Sequence, residues 1–544
     1  MNTSKFLTLA AVALASASVA LADGIAIIPK PLKLEAKTGV FQITKDTVIT
    51  YSGGATEVKL FAGQLRSATG FKLPASQAST APGKNGIAFV IQKELASRLG
   101  NEGYNLNVTP TGILVSAPTE AGLFYGSRTL LQLLPPDAFS AQSVSGVKWE
   151  APCVTISDSP RFAWRGLLVD VSRHFIPVED LKKFVDIMAQ HKLNRLHLHL
   201  TDDQGWRLEI KKYPRLTEVG STRKESPQPG NRDAGDGKPY GPFFYTQAQI
   251  RDLVSYAQAR HVTIMPEIEM PGHLLGVLTA YPQYSCKGGP FEVRTRWGVE
   301  EDVLCIGNTN SIAFMEDILT EVLDLFPSPI IHIGGDEVPR DRWKECPKCQ
   351  ALMKAEGLKN EAQLQTWFNH HIETFLASKG RRMIGWDEIL EGGLTPGAAV
   401  MSWRGVKGGI EAAEAGHDVV MSPNSHLYFD HAQSKDAGEP ESIGGFSPLD
   451  HVYSYEPLPD QLSADKQKHI LGPQANLWSE YIWTLKDFEY KAYPRACALA
   501  EVGWSAREAR NFADFTTRLT THVQRLEKLN VNYRKLTPPA PAKN

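Results

Sequence analysis

Cysteine is scarce in this 544-residue chain, with six in all and none before Cys153. So few thiols exclude a disulfide-built scaffold, and their absence from the N-terminal part excludes a lipidated cysteine there. A surplus of charge is missing too: 58 Lys and Arg stand against 60 Asp and Glu, for a formal net charge of −2. No long-range field therefore draws nucleic acid or an anionic membrane, and a neutral substrate suits the balance. Beyond residue 22 no run is long and apolar enough to cross a bilayer, so no integral membrane segment is expected there. Internal repeats are lacking, and the one biased tract is a Pro/Ala-rich tail from Pro538 that reads as disordered.

At the N-terminus stand Lys5, an apolar stretch from Phe6 to about Val19 and the small residues of Ala20-Leu21-Ala22. This is the three-part pattern of a secretory signal, so cleavage is expected after Ala22 and the mature chain is expected to be exported, periplasmic or secreted. In such a chain Cys286 and Cys305, which bracket a loop rich in Gly, Arg and Trp, and the pair in Cys346-Pro347-Lys348-Cys349 are candidates for one or two local disulfides. A structural zinc site usually needs four ligands. No second Cys-x-x-Cys pair is evident, so no metal and no cofactor are expected.

Residues 23–150 read as a small α+β domain. Strands are expected at Thr47 to Tyr51, Ile87 to Gln92, Tyr104 to Val108 and Gly112 to Ala117, and helices around Val58 to Ala68 and Ala121 to Leu133. Pro135-Pro136 and a Ser/Gly-rich stretch to Gly146 read as a linker. Over 151–510, apolar or β-branched runs alternate with amphipathic stretches: Gly166 to Val171, Asn194 to Leu200, Val262 to Ile268, Ile330 to Ile333, Arg381 to Trp386, Ala399 to Trp403, Asp418 to Met421 and Gly472 to Leu477. Repeated βα units of this number point to a TIM (β/α)8 barrel. An open doubly wound sheet would gather its ligand groups at one switch point, whereas here polar and aromatic residues follow nearly every strand. Residues 511–544 are left as a C-terminal helix and tail.

The fourth strand ends in Gly334-Gly335-Asp336-Glu337, which puts two carboxylates where a βα loop begins, on the face of a barrel that carries active sites. The spacing alone is equally consistent with an N-capping Asp beside a solvent-facing Glu. Trp386, Trp403 and Trp478 tip the balance, since each stands at a strand end on the same rim. Indole faces pack on the C–H faces of sugars, so a carboxylate pair ringed by Trp suits sugar cleavage. Arg173 ends the first strand and can fork its hydrogen bonds to vicinal hydroxyls. The second ends in His197-Leu198-His199-Leu200-Thr201-Asp202-Asp203, the third in Glu267-Ile268-Glu269-Met270-Pro271-Gly272-His273, and Tyr428 and Asp430 follow the seventh. The His-x-His spacing allows a metal, but histidines in a packed barrel more often bond their neighbours.

Together these motifs resemble glycoside hydrolase family 20, the β-N-acetylhexosaminidases, over nearly all of the expected mature chain. The segment from Gly103-Tyr104 through Gly122-Leu123-Phe124-Tyr125-Gly126 to Leu134 is similar to that family's N-terminal domain. The resemblance implies an exo-acting, retaining hydrolase of β-linked N-acetylhexosamine oligosaccharides or glycoconjugates, in which the substrate's own acetamido group is the nucleophile. It implies that Asp336 serves the acetamido group, Glu337 is the acid and base, and Tyr428 donates to the acetamido oxygen. It further implies that Trp386, Trp403 and Trp478 wall the sugar, that Arg173, Asp430 and Glu480 bind its hydroxyls, and that Asp202 and His273 support the pocket. One departure is that Glu269 stands where many relatives have Asp, which puts its pairing with His273 in question. A binding protein that had lost catalysis would most simply lack Asp336, Glu337 or Tyr428, and an enzyme releasing disaccharides would need a roomier pocket.

Overall fold

The computed structural model describes residues 24–78 and 83–536. The expected signal segment 1–22 and the tail from Pro538 lie outside the described residues.

Eight parallel strands close a barrel: β1 (Gly166–Asp170), β2 (Arg195–His199), β3 (Thr263–Glu267), β4 (Ile330–His332), β5 (Arg382–Trp386), β6 (Ala399–Ser402), β7 (Val419–Met421) and β8 (Ile470–Leu477), with β8 pairing back onto β1. Each lies within two residues of the expected run. The strands are largely apolar because both faces are covered, with Asp170, His197, His199, Glu267 and His332 among the buried polar exceptions. Leu168, Met265, Ile384, Ala399, Met401 and Val420 fill the inside, with Trp164 and Trp386 in the same cluster. A second layer, including Phe184, Leu253, Leu319, Phe368 and Leu499, packs the helices Val178–Gln190, Gln247–Gln258, Thr309–Leu325, Glu361–Ser378 and Arg495–Trp504 onto the outside. Between β5 and β6 the expected helix is reduced to the short turn Asp387–Leu390.

The N-terminal domain is a seven-stranded mixed sheet with helices Ala55–Thr69 and Glu120–Leu133 packed on it. Its order is Lys33–Gln42, Glu150–Asp158, Tyr104–Thr109, Gly112–Ala117, Gly86–Ile91, Val48–Ser52, Ala75–Gln77. Two expectations are corrected. The stretch from Pro135 to Gly146 is not a linker: it folds back on its own domain, where the Val144 amide donates to Ala68 at 2.9 Å. The boundary placed at 150/151 falls just inside Glu150–Asp158, a strand that pairs with both Lys33–Gln42 and Tyr104–Thr109 and so belongs to this sheet.

That strand also locks the two domains together. The Asp158 carboxylate, fully buried, accepts from Tyr104 Oη at 2.5 Å, Trp504 Nε1 at 3.0 Å and Lys192 Nζ at 3.1 Å, the last two from the barrel. Glu102 likewise takes both Nη atoms of the barrel's Arg165, at 2.9 and 3.0 Å.

Candidate active site

The loop after β4 turns sharply at Gly334 (φ +67°) and Gly335 (φ +89°), and Glu337 itself sits at φ +47°. A Cβ on Gly334 would lie 1.7 Å from Glu269 Oε2, so only glycine lets this strand end pass the carboxyl of the neighbouring one. The turn brings the Asp336 and Glu337 carboxylates to one imidazole: His273 Nε2 is 3.8 Å from Asp336 Oδ2 and 3.6 Å from Glu337 Oε2. On its other side His273 Nδ1 faces Asp203 Oδ2 at 3.2 Å and Asp202 Oδ1 at 3.4 Å.

All the expected catalytic and substrate-binding residues line a single cavity of about 370 Å3: Asp336, Glu337 and Tyr428, Arg173, Asp202, His273, Trp386, Trp403, Trp478, Asp430 and Glu480. Trp386 and Trp478 stand 5.7 Å apart between ring centroids, and Trp403 stacks on Tyr428 at 6.1 Å. Beside Trp478, Arg173 is held by Asp202 at 2.7 Å, Asp170 at 3.2 Å and Glu480 at 3.9 Å. Its guanidinium also lies over the Trp478 ring, 5.4 Å from the centroid.

The charges differ sharply. Burial raises Asp336 to about 6, with Glu267 and Glu337 adding to the rise and His273 opposing it. Its Oδ1 has no hydrogen-bond partner among the described residues. Glu337 moves the other way, lowered chiefly by its polar contact with His273, and is the more open of the two, with its side chain 44% exposed against 13% for Asp336. Against the cost of burial, Asp202 foremost, then Asp203 and Glu337, raise His273 well above the usual histidine range. Asp430 is pushed up to about 8 by burial and then by the charge of Glu480, and neither of its carboxyl oxygens has a hydrogen-bond partner among the described residues.

Beneath this shell lies a layer the sequence only hinted at. Glu267, fully buried, contacts His197 Nε2 at 3.0 Å, His332 Nδ1 at 2.8 Å and the indole N–H of Trp386 at 2.8 Å, and bonds His199 Nδ1. The His-x-His residues are engaged with neighbours in this way because alternate strand residues share a face. Asp203 was legible only as the last member of the run after the second strand, and Glu388 only as a near neighbour of Trp386. Asp203 fixes His273 and accepts from the amides of Leu275 and Glu300, both at 3.1 Å. Glu388 accepts the Trp403 indole N–H at 2.9 Å. Arg232 on the short strand Asn231–Gly235, Trp297 and Val299 on the long loop after β3, and Tyr481 next to Glu480 also line the cavity.

Two points need correction. His273 takes its carboxylate partners from Asp202 and Asp203 rather than from Glu269, whose oxygens are buried against the Gly334 turn without a hydrogen bond. The four candidate disulfide cysteines are free thiols gathered in one cluster, not two local bridged pairs. Two neighbouring loops bring together positions far apart in sequence, which spacing within each pair could not show.

A closed parallel barrel whose C-terminal rim carries paired carboxylates, a basic fork and three indoles defines a sugar-processing TIM-barrel hydrolase. The chain belongs to glycosyl hydrolase family 20: the family's catalytic-domain model matches residues 162–507 and its domain 2 model matches residues 24–159. It is 47% identical over 521 residues to a beta-hexosaminidase of Porphyromonas gingivalis, covering 95% of this chain and 65% of that protein, so it spans just under two thirds of that relative. The solved beta-N-acetylhexosaminidase of Streptomyces coelicolor superposes with a TM-score of 0.81 at 31% identity, covering 95% of this chain and 98% of the other. A mutant Streptomyces plicatus beta-hexosaminidase in complex with its product GlcNAc gives 0.81 at 30%, covering 94% and 97%.

Proposed function

We propose that this chain is an exo-acting, retaining β-N-acetylhexosaminidase that removes terminal N-acetylglucosamine, and N-acetylgalactosamine as well, by substrate-assisted catalysis. The observation that carries the reading is the placement of Asp336 and Glu337 on one His273 nitrogen in a Trp-lined cavity. Two carboxylates so closely yoked suit two tasks on one side of a sugar, and leave the nucleophile to the substrate.

In this reading the unpartnered Oδ1 of Asp336 accepts the acetamido N–H, and Tyr428 donates to the acetamido oxygen as that oxygen attacks C1. The positive charge of the oxazolinium ion is stabilised by ionised Asp336. Trp386, Trp403 and Trp478 hold the methyl and the ring face. A sugar seated over Glu337 strips its water, which favours the protonated form. Glu337 passes its proton to the glycosidic oxygen, then takes one from the water that opens the oxazolinium ring, so the configuration at C1 is retained. Arg173, Glu480 and Asp430 take the O3, O4 and O6 hydroxyls and close the far end, which supports cleavage from the non-reducing terminus.

The Lys5 to Ala22 pattern supports export, and N-terminal sequencing of the mature chain checks it: an N-terminus at Asp23 is expected. For the catalytic assignment, Glu337→Gln should lower kcat on an unactivated N-acetylglucosaminide by roughly 10^2–10^4-fold, the usual range for a general acid. Undiminished turnover removes Glu337 from that role. A sugar trapped covalently on a protein carboxylate would exclude the acetamido nucleophile.

A further inference from the structure

Away from the cavity, four thiols converge. Cys305 Sγ lies 3.7 Å from Cys346 Sγ and 3.9 Å from Cys349 Sγ, and Cys349 lies another 3.9 Å from Cys286. All four sulfurs fall within 4.8 Å of one another. A disulfide holds two sulfurs at about 2.05 Å and leaves other thiols apart. Here Cys349 is equally distant from Cys286 and Cys305, so it has no single partner. Four sulfurs on a tetrahedron with bonds of about 2.3 Å to a central zinc would be separated by about 3.8 Å along each edge. Three of the six edges, at 3.7, 3.9 and 3.9 Å, match that value, and all six lie within 4.8 Å.

The backbone is shaped for the same purpose. Cys346-Pro347-Lys348-Cys349 wraps the N-terminal turn of helix Pro347–Ala355, and the amide of Gly307 points at Cys349 Sγ from 3.4 Å, as amides do toward metal-bound thiolates. A Cβ at Gly307 would meet the Lys348 carbonyl carbon at 2.2 Å and the Cys349 nitrogen at 2.3 Å, so glycine alone lets the two segments close on each other. Cys305, Cys346 and Cys349 are buried, which shields the sulfurs from competing ligands.

We propose that Cys286, Cys305, Cys346 and Cys349 form a tetrathiolate site for a structural zinc ion. Binding releases the thiol protons and leaves four Zn–S bonds, with no change of oxidation state. The coordination shell is closed, so the ion takes no part in hydrolysis. Its place in the fold gives its role. Cys286 and Cys305 lie on the long loop after β3, which also supplies Trp297 and Val299 to the cavity wall, and Cys346 follows Glu337 on the loop after β4. The Trp343 indole donates to Leu304 at 2.9 Å and Arg342 bonds Asp302 at 2.7 Å, so the ion would fasten two loops already in contact. The sequence pattern, read as two local pairs without metal, is revised accordingly.

The test is elemental analysis of the full chain, expressed with zinc in the medium and purified without chelator, together with thiol counting. About one zinc per chain is expected. All six cysteines should alkylate after denaturation in chelator without reductant, since none is oxidised. Cobalt exchanged into the site should give the intense visible absorption of tetrahedral cobalt thiolate. Cys346→Ser should lose the ion, and Cys497→Ser, outside the cluster, should keep it. A disulfide between any two of the four, or a metal-free chain with all thiols reduced, overturns the proposal, and the wild-type count decides the matter even if Cys346→Ser does not fold.

Discussion

At the scale of single residues, the instructive group is Asp336, whose needs in the free protein and in catalysis oppose each other. Its carboxyl is buried beside Glu267 and Glu337 and is raised to about 6. A raised acid makes the folded state bind more protons than the unfolded one between about pH 4 and about pH 6. The stabilisation this gives is present at low pH and is lost as pH rises through about 6. Asp336→Asn, which cannot ionise, should therefore be more stable than the parent by about 1–3 kcal/mol near pH 7.5, and the gain should vanish near pH 4. Thermal melts of both proteins at the two pH values check this. The same variant should be nearly inactive, since the amide cannot offset the oxazolinium charge. In the parent, kcat/KM should fall as pH drops through about 6, because protonation of Asp336 removes the charge the reaction needs.

At the scale of elements, the loop after β4 depends on a residue that touches no substrate. Gly334→Ala combines a left-handed backbone with a Cβ 1.7 Å from Glu269 Oε2, so the turn must move and carry Asp336 and Glu337 with it. A loss of roughly 2–4 kcal/mol in stability is expected from the strain and the clash together. Activity should fall more steeply than the folded fraction. Chemical denaturation and kcat measured on the folded enzyme separate the two effects, and an unaltered kcat would show that the turn does not set the carboxylate positions.

The elements also show what sequence patterning can carry. All eight barrel strands were legible because each is a short, mostly apolar, buried run closed by polar or aromatic residues at the rim. The first N-terminal strand, Lys33–Gln42, was not. Its pattern KLEAKTGVFQ leaves most side chains exposed at a sheet edge, and it is a strand only because Glu150–Asp158 pairs with it. Within the site, residues at strand ends were found because βα units locate them, whereas Arg232 and Trp297 arrive on long excursions after β2 and β3 whose path depends on packing. The cysteine cluster was hidden for a related reason: Cys305 and Cys346 meet only because the loops after β3 and β4 are neighbours. Asp203 was in view but could not be distinguished from Asp202 without knowing which way each side chain points.

At the scale of the whole molecule, the N-terminal domain is bound to the barrel by buried charge. Lys192 and Asp158 have no solvent contact, and Asp158 also holds Tyr104 and Trp504. Removing the acid strands the ammonium in a dry interface, a change that costs about 3–5 kcal/mol. Asp158→Ala should therefore melt at a markedly lower temperature, and calorimetry of the parent should show the two domains unfolding in one transition. Two well-separated transitions in the parent would mean that this contact does not couple them.

One last consequence concerns traffic rather than chemistry. In the proposed pose the terminal sugar rests against Arg173, which Asp170, Asp202 and Glu480 hold by ion pairs, with the leaving group toward the open mouth. The freed monosaccharide then lies beneath the shortened chain, like the first item placed in a blind alley. In that pose it would leave only after the polymer had backed out, so each cut would end an encounter and hydrolysis would be distributive, trimming a population of chains evenly instead of consuming one chain to completion.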